Sequence, residues 1–389
     1  MVVSTPTKQS SIEEFFTSLL SKADIQINGP RPWDIQVHDN SLYQRVLAEG
    51  SLGFGEAYMD GLWDCEQIDE MIYRILSHDL EAELDAKAKV KLGLKVASAK
   101  LKHFVNPQSI SRAKEDVSSH YNTGNDLFVR MLDKRLTYTC AYWKKASNLD
   151  EAQEAKLDLI CRKMGLQPGM RVLDIGCGWG SFMLYAAEKY GVICDGLTLA
   201  SEQTDLGAQR AAESGLPVKF ILEDYREFHP KEKYDRVVSV GMIEHVGPSN
   251  YAEYFDCAQR FLKSDGLFLL HTIGTKVSTD KTDPWIDKYI FPNGVCPSMV
   301  QLSQGMEGKF NMEDVHNIGE DYDKTLCAWC VNFEEHWSEI ADTYGERFRR
   351  MWRYYLLCCA GAFRCRDINV WQFVLSPYGL SKPDYVRQS

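Results

Sequence analysis

The 389-residue sequence lacks the segments that would span a membrane or direct export. No apolar run approaches the roughly 18 residues of a transmembrane helix. Residues 1–11 lack the charged and then apolar order of a secretory signal. We therefore expect a cytoplasmic protein.

Other absences narrow the class of protein further. The sequence has no internal repeat and no low-complexity tract, and its twelve cysteines have no regular spacing. Cys327 and Cys330 form the one C-x-x-C pair, and no second pair completes a zinc site, so we expect reduced thiols and no metal. The formal net charge of −11 argues against nucleic acid as a partner.

The length of the chain favours two domains over one. We predict a small N-terminal domain at residues 1–104, a linker at 105–118 and a catalytic domain at 119–389. Within the first domain, residues 11–23 predict a short amphipathic helix.

A lysine-rich stretch at residues 86–104 departs from the acidic average of the chain. Apolar residues recur there at helical spacing, which predicts one apolar stripe flanked by lysines. Two interpretations stay open: a solvated face of a packed helix, or a surface that docks on anionic lipid at about 1 kcal/mol per lysine. The lysines, with no acidic residue between them, are Lys87, Lys89, Lys91, Lys95, Lys100 and Lys102.

A glycine-rich turn at residues 170–181 organises the second half of the chain. Residues 172–175 predict a short buried strand with Asp174 near its end, and a helical pattern follows the turn. The spacing is G-x-G-x-G, not the G-x-G-x-x-G of a dinucleotide site, and it resembles the first motif of S-adenosylmethionine-dependent methyltransferases. A mononucleotide or NAD turn is the alternative. The three glycines are Gly176, Gly178 and Gly180.

Strand and helix patterns alternate after this turn, which predicts an α/β fold with a mostly parallel, doubly wound sheet. Ligands of such sheets bind beyond the carboxyl ends of the strands. The second strand ends without the acid that usually holds a nucleotide ribose, which counts against an NAD enzyme; Thr198 and Gln203 are the available substitutes. The predicted strands are 192–199, 218–222, 234–241 and 266–272, and the predicted helices are 201–214 and 250–262.

Several further stretches occur in one order along residues 119–370, and together they carry a family resemblance. The sequence resembles the bacterial cyclopropane-fatty-acyl-phospholipid synthases and, over its catalytic part, the mycolic acid cyclopropane synthases. Residues 50–61 resemble the phospholipid enzymes specifically. The stretches of the catalytic part are 119–125, 138–143, 172–180, 196–198, 241–247, 271–274, 289–294 and 359–363.

The resemblance implies a Rossmann-like methyltransferase fold, a cofactor and a reaction. The methyl carbon of S-adenosylmethionine would be added to a cis double bond of a phospholipid acyl chain, and the ring would close when a bound bicarbonate or carbonate ion removes a proton. By the same resemblance the ion is held by Cys140 and Ile273 through backbone and by Glu244, His271 and Tyr322 through side chains. The implied cofactor contacts are Tyr138, Thr139, Asp174, Gly176, Gly178, Gly180, Thr198, Gln203, Tyr225 and Arg226.

Some positions depart from the family pattern, and others are expected to serve only in packing. Thr139 stands where serine is frequent, and Tyr225 stands where the mycolic relatives have tryptophan, which bears on the adenine contacts. Aromatic walls that exclude water are expected from Tyr138, Tyr289, Phe291 and Trp285. For Cys359 we expect packing only.

Three other functions remain open at this point. The chain is alternatively a lipid methyltransferase that leaves a methyl or methylene branch, a small-molecule N-methyltransferase, or a silent lipid- or nucleotide-binding module. The resemblance further implies a homodimer, and an unsaturated phospholipid substrate implies peripheral association with the inner membrane. Head-group and acyl-chain preference cannot be predicted from the sequence.

Overall fold

A computed structural model describes residues 8–80 and 124–380, together with residues 383, 385 and 387. The lysine-rich stretch at 86–104, the linker at 105–118 and most of the motif at 119–125 lie outside the described residues. No helix in the described part of the chain is long and apolar enough to cross a membrane. All twelve cysteines are described, and none forms a disulfide.

The described residues contain thirteen α-helices. They are α1 (Lys8–Ser21), α2 (Ser41–Glu49), α3 (Ser51–Met59), α4 (Ile68–Ser77), α5 (Asn125–Met131), α6 (Leu149–Lys163), α7 (Ser181–Tyr190), α8 (Ser201–Ser214), α9 (Tyr251–Phe261), α10 (Pro284–Tyr289), α11 (Met299–Met306), α12 (Glu320–Glu335) and α13 (Ala341–Arg364). Short 3₁₀ turns occur at Ile243–His245, Pro248–Asn250 and Trp337–Glu339.

The strands form a small ribbon and one large sheet. They are β1 (Gln36–Val37), β2 (Trp63–Asp64), β3 (Arg171–Ile175), β4 (Ile193–Thr198), β5 (Val218–Leu222), β6 (Tyr234–Val240), β7 (Leu262–Thr275), β8 (Phe310–Asn317) and β9 (Ile368–Pro377). β1 pairs with β2, and the other seven strands pair in the order β5-β4-β3-β6-β7-β9-β8.

The described residues divide into two compact units. The first unit contains the residues up to 80 and two later segments, Asp283–Ile290 and Glu334–Asp367. The second unit contains the large sheet and its flanking helices. The domain boundary that we predicted at residues 105–118 lies outside the described residues and stays a prediction.

In the first unit, the stretch at residues 50–61 contains α3, which carries an ionic cluster around the buried carboxylate of Glu56. The carboxylate of Glu56 accepts hydrogen bonds from Lys288 Nζ (2.6 Å), Tyr289 Oη (2.7 Å) and Arg45 Nη2 (2.6 Å). The bond from Lys288 leads the causes that lower the pKa of Glu56 to about 2. Gly55 lies against the Trp285 ring, where a Cβ would come within 2.5 Å of Cδ1. These contacts fasten α10 to α3.

The large sheet confirms the predicted α/β fold and extends it. β3 to β7 run parallel, as the alternation of strands and helices predicted. β9 pairs antiparallel with both β7 and β8, and neither β8 nor β9 was predicted. The sheet is therefore mixed, with an antiparallel edge on a parallel centre.

Both faces of the sheet are covered, so neighbouring strand residues pack into opposite layers. Leu173 of β3 belongs to the apolar cluster that includes Phe255 of α9. Val172, one residue earlier, belongs to the cluster that includes Ile160 of α6 and Met183 of α7. This packing on two sides explains why the strand sequences are apolar without strict alternation.

One glycine of the turn after β3 offers a stability test with a matched control. Gly180 begins α7 with φ of +78°, and a Cβ there would lie 2.4 Å from Phe220 Cζ. Gly215 ends α8 with φ of +63° and has nothing within 4 Å of its Cβ position. We expect G215A to lower the free energy of unfolding by about 1 kcal/mol, from left-handed backbone strain alone. G180A should lower it by about 2–4 kcal/mol, because the Phe220 ring must also move.

Denaturant titration of both variants checks this prediction through the unfolding midpoint at unchanged slope. Equal losses for G180A and G215A would contradict the assigned role of the Phe220 ring.

Candidate active site

A cavity lies at the carboxyl ends of β3, β4 and β6, where an α/β sheet binds its ligands. Six of the ten residues predicted to bind the cofactor line this cavity. Gly180 begins α7 at the end of the same turn. The six are Gly176, Gly178, Thr198, Gln203, Tyr225 and Arg226.

The turn after β3 leaves backbone open to the cavity. Gly176 and Gly178 have φ of +86° and +53°. A Cβ on Gly178 would meet only Gln203 Oε1, at 3.9 Å, so a ligand can approach this part of the main chain closely. The Trp179 indole donates to Asn125 Oδ1 at 2.9 Å, which ties the described end of the 119–125 motif to the turn.

Three buried polar atoms at the cavity have no hydrogen-bond partner among the described residues. Gln203 Nε2 and Tyr225 Oη belong to side chains that line the cavity, and Asp174 Oδ1 lies on the strand that leads into it. Buried polar groups of native proteins are almost always paired. A ligand that carries several donors and acceptors fits this arrangement, because it would supply the missing partners. Arg226 is held differently, by an ion pair with Asp224 at 2.7 Å.

Asp174 lies beneath the turn and is 3% exposed. Burial raises the pKa of its carboxyl to about 7, and the nearby charge of Lys156 opposes that shift. Lys156 is itself buried, and burial lowers the pKa of its amine to about 8. The two groups bring opposite charges into the region under the cavity.

Lys156 and Gln153, both on α6, hold the predicted cofactor residue Thr139. Lys156 Nζ donates to Thr139 Oγ1 at 2.8 Å, and Gln153 Nε2 donates to the Thr139 carbonyl at 2.8 Å. Because an ammonium group only donates, the Thr139 hydroxyl accepts this bond and keeps its own proton for another acceptor. Thr139 Cγ2 also lies 2.8 Å from the Cβ position of Gly241, which lines the cavity.

Sequence reasoning missed both α6 residues. The available signal was two polar side chains three residues apart, on a helix whose other inward positions are apolar except for Lys163. Tyr138, the remaining predicted cofactor residue, packs between Phe128 and Trp329 at ring distances of 5.0 and 5.2 Å.

A second group of predicted residues surrounds the end of β7. Glu244 lies on the 3₁₀ turn after β6, and its Oε1 accepts a hydrogen bond from the Ile273 N–H at 2.7 Å. The structure therefore gives the Ile273 N–H, which the resemblance assigned to an anion, to Glu244. The other carboxyl oxygen, Oε2, is buried and has no hydrogen-bond partner in the described part of the chain. Burial raises the pKa of Glu244 to about 7.

His271 lies two residues before Ile273 on the same strand and is 2% exposed. Its backbone carbonyl accepts a bond from the Gly241 N–H at 2.9 Å, which joins β7 to the cavity wall. Burial, with the charges of Lys156 and Lys163, lowers the pKa of the imidazole well below its usual value. The ring is therefore neutral at physiological pH.

Cys140 and Tyr322 approach this region through the segment after β8. The Cys140 thiol donates to the Ile318 carbonyl at 3.7 Å, and Tyr322 lies one turn further along on α12. The Ile318 N–H in turn donates to the carbonyl of Val370, which pairs with Ile273 across β7 and β9. Hydrogen bonds thus link the Cys140 thiol and the Glu244 carboxylate to the paired strands β7 and β9, and Tyr322 lies on the helix that follows Ile318. Burial keeps the pKa of Cys140 well above its usual value, so it is a thiol and not a thiolate.

The expected aromatic walls are divided between the two units. Phe291 belongs to the second unit and contacts His245 edge to face at 6.0 Å. Trp285 and Tyr289 belong to the first unit and pack there on α10, as does Cys359 on α13.

The fold and the cavity define an S-adenosylmethionine-dependent methyltransferase. A coclaurine N-methyltransferase bound to N-methylheliamine and SAH shares the fold with a TM-score of 0.67 at 22% identity, covering 83% of this chain and 98% of that one. Residues 108–373 match the family model described as "Mycolic acid cyclopropane synthetase". The chain belongs to this cyclopropane synthetase family.

The chain is similar in sequence to two members of this family over most of their length. The chain is 52% identical to the cyclopropane-fatty-acyl-phospholipid synthase of Escherichia coli (strain K12), over 92% of this chain and 91% of that protein. It is 35% identical to the mycolic acid cyclopropane synthase CmaA1, solved with SAH and CTAB. That match has a TM-score of 0.62 and covers 67% of this chain and 97% of that one.

The raised pKa of Asp174 predicts a characteristic pH dependence of stability. The folded-state pKa of about 7 lies above the value of about 3.9 for an unfolded chain, so the native state binds the extra proton between these limits. The free energy of unfolding should therefore fall by a few kcal/mol as the pH rises from about 4 to about 7. The D174N variant without ligand should lack this loss and be more stable than the wild type at pH 8.

Urea unfolding at several pH values measures the difference, with D265N, on an exposed side chain, as the control. A gap between D174N and wild type that stays constant from pH 5 to pH 8 would contradict the assignment.

Proposed function

We propose that this enzyme converts a cis double bond of a phospholipid acyl chain into a cyclopropane ring. The observation that carries the proposal is the hydrogen bond from the Ile273 N–H, at the end of β7, to the Glu244 carboxylate. This bond lies beside a cofactor cavity whose buried polar atoms lack partners among the described residues. The 52% identity with a cyclopropane-fatty-acyl-phospholipid synthase supports the choice of substrate.

The residues of the cavity fit S-adenosylmethionine, which supplies an electrophilic methyl group when bound. Gln203 and Tyr225 would pair with its polar atoms, and the Thr139 hydroxyl, oriented by Lys156, can donate to its carboxylate. The backbone at Gly178 admits the ligand close to the turn. The chain thereby fixes the position of the methyl group, which is the main contribution that an alkyl transfer requires.

The reaction itself needs no nucleophilic side chain, because the alkene supplies the electron pair. Attack on the methyl carbon would break its bond to sulfur, release S-adenosylhomocysteine and leave a cation on the neighbouring carbon of the acyl chain. Loss of a proton from the transferred methyl group then supplies the electrons that close the ring. A buried thiol at Cys140 and a neutral imidazole at His271 are consistent with this chemistry, since neither is activated as a nucleophile.

The base in this proposal is a bicarbonate ion, which would accept the proton. Cys140 and Ile273 would hold it through backbone, and Glu244, His271 and Tyr322 through side chains. The unpaired Glu244 Oε2 supports the site, because a carboxyl with a pKa of about 7 is protonated in a substantial fraction of molecules and can donate to an anion. Binding to the Ile273 N–H would require Glu244 to release it.

We further propose that the protein works at the cytoplasmic surface of the inner membrane, as a homodimer. The substrate supports this location, because its acyl chains lie in a bilayer. The lysine-rich stretch at 86–104 is the proposed contact with anionic head groups.

The decisive experiment uses purified protein, vesicles of unsaturated phospholipid and methyl-labelled S-adenosylmethionine. Mass spectrometry of the released fatty acids should show a gain of one CH₂ with loss of the alkene. The same gain with an alkene still present would assign a methylene-branching enzyme. Label in a small amine and none in lipid would assign an N-methyltransferase.

The Lys156 contact gives a second prediction within the same assay. K156M removes the donor that orients the Thr139 hydroxyl, so we expect the KM for S-adenosylmethionine to rise about tenfold. Calorimetric titration with S-adenosylhomocysteine should show a matching loss of affinity.

K309M is the control, because the Lys309 amine also donates hydrogen bonds, in its case to the carbonyls of Ala252 and Gly305, and it does not line the cavity. Unchanged affinity in K156M, with the fold intact, would remove Lys156 from the cofactor site.

A further inference from the structure

A buried glutamine contacts the imidazole of His271, one of the residues of the proposed anion site. Gln372 lies directly opposite His271 in the antiparallel pairing of β9 with β7, and the two are 0% and 2% exposed. The amide nitrogen Nε2 of Gln372 lies 3.2 Å from Nδ1 of His271. Side chains of directly opposed residues emerge on the same face of a sheet, so the register itself creates this contact.

The chemistry of the amide determines the protonation state of the ring. In the structure the amide nitrogen faces the ring, and Gln372 Oε1 is buried with no hydrogen-bond partner among the described residues. Because an amide nitrogen can only donate, Nδ1 of His271 accepts in this orientation. The burial that keeps the imidazole neutral leaves one ring proton, which then resides on Nε2. The other tautomer would direct the Nδ1 proton against the amide protons.

The register extends this polar contact by one more strand. His316 of β8 is also opposite Gln372, and its Nδ1 lies 3.2 Å from Nζ of the buried Lys163. Lys163 lies 3.7 Å from the carboxylate of Asp314. A polar row therefore crosses the antiparallel edge of the sheet, with Gln372 in its middle strand and His271 at the end nearest Glu244.

We propose that Gln372 is a positioning residue that holds His271 in the Nε2–H tautomer. This inference rests on the proposed function, in which His271 binds an anion. A ring that carries its proton on Nε2 can donate that proton to bicarbonate, whereas the opposite tautomer presents a lone pair and repels it. The role of Gln372 is then indirect: it sets which atom of His271 the ion meets.

The first test reads the tautomer itself in the intact protein. Long-range ¹H–¹⁵N spectra of protein with ¹⁵N-labelled histidine distinguish protonated from unprotonated ring nitrogens, and H271N assigns the signal among the nine histidines. We expect Nε2 protonated and Nδ1 unprotonated in the wild type. A proton on Nδ1 would overturn the proposal whatever the activity of the variants.

The second test uses Q372M, which keeps the length of the side chain and removes the donor. In buffer depleted of CO₂ and supplemented with bicarbonate, the apparent KM for bicarbonate should rise about tenfold, with the KM for S-adenosylmethionine unchanged. A population protonated on Nδ1 should also appear in the spectrum. Q259M is the matched control, because Gln259 donates to the Lys309 carbonyl away from the site.

The outcomes separate this inference from the proposed function. A wild-type bicarbonate KM in Q372M would overturn the positioning role. Activity of the wild type that does not depend on bicarbonate would instead overturn the proposed base, while the spectrum still decides the tautomer.

Discussion

The two different pairings of β7 are the constraint on which the site depends. On one side β7 runs parallel to β6, and the Gly241 N–H at the end of β6 binds the His271 carbonyl. On the other side it runs antiparallel to β9, which brings Gln372 opposite His271. If the sheet were parallel throughout, a helix would connect β7 to the next strand. The reversal gives the imidazole a buried hydrogen-bond partner 101 residues later in the chain.

The second property of the site is that its buried ionisable groups lack a full set of partners. Asp174, Glu244 and Lys156 are buried, and burial moves the pKa of each toward neutrality. An unpaired buried carboxylate is costly, so such groups either take up a proton or await a partner. The region is consequently less stable on its own than its packing would allow, and a bound ligand recovers part of that loss.

Much of the parallel sheet and of the cofactor cavity could be predicted from sequence. The strands from β3 to β7 have local apolar patterns, and the glycine spacing marks the turn that carries Gly176 and Gly178. Because these features lie within single elements, a local pattern suffices to find them. The residues at the strand ends then follow from the general geometry of parallel sheets.

The antiparallel edge and its polar contacts could not be predicted in this way. β8 carries Glu313, Asp314 and His316 among few apolar residues, so its pattern does not resemble a strand. Gln372 stands between Trp371 and Phe373 in the largely apolar strand β9, and nothing in its neighbours shows what it faces. Its contact partners follow only from its register with His271 and His316, and strand register is a tertiary property.

The placement of the base, more than the cofactor cavity, separates ring closure from branching. Both reactions begin with the same methyl transfer and the same cation on the acyl chain. Removal of a proton from the transferred methyl group closes a ring, whereas removal from a neighbouring chain carbon leaves an alkene. The outcome therefore depends on which C–H bond faces the base. In the proposed mechanism Glu244, His271 and, through the imidazole, Gln372 would fix that direction, so product specificity within the family should vary with their contacts.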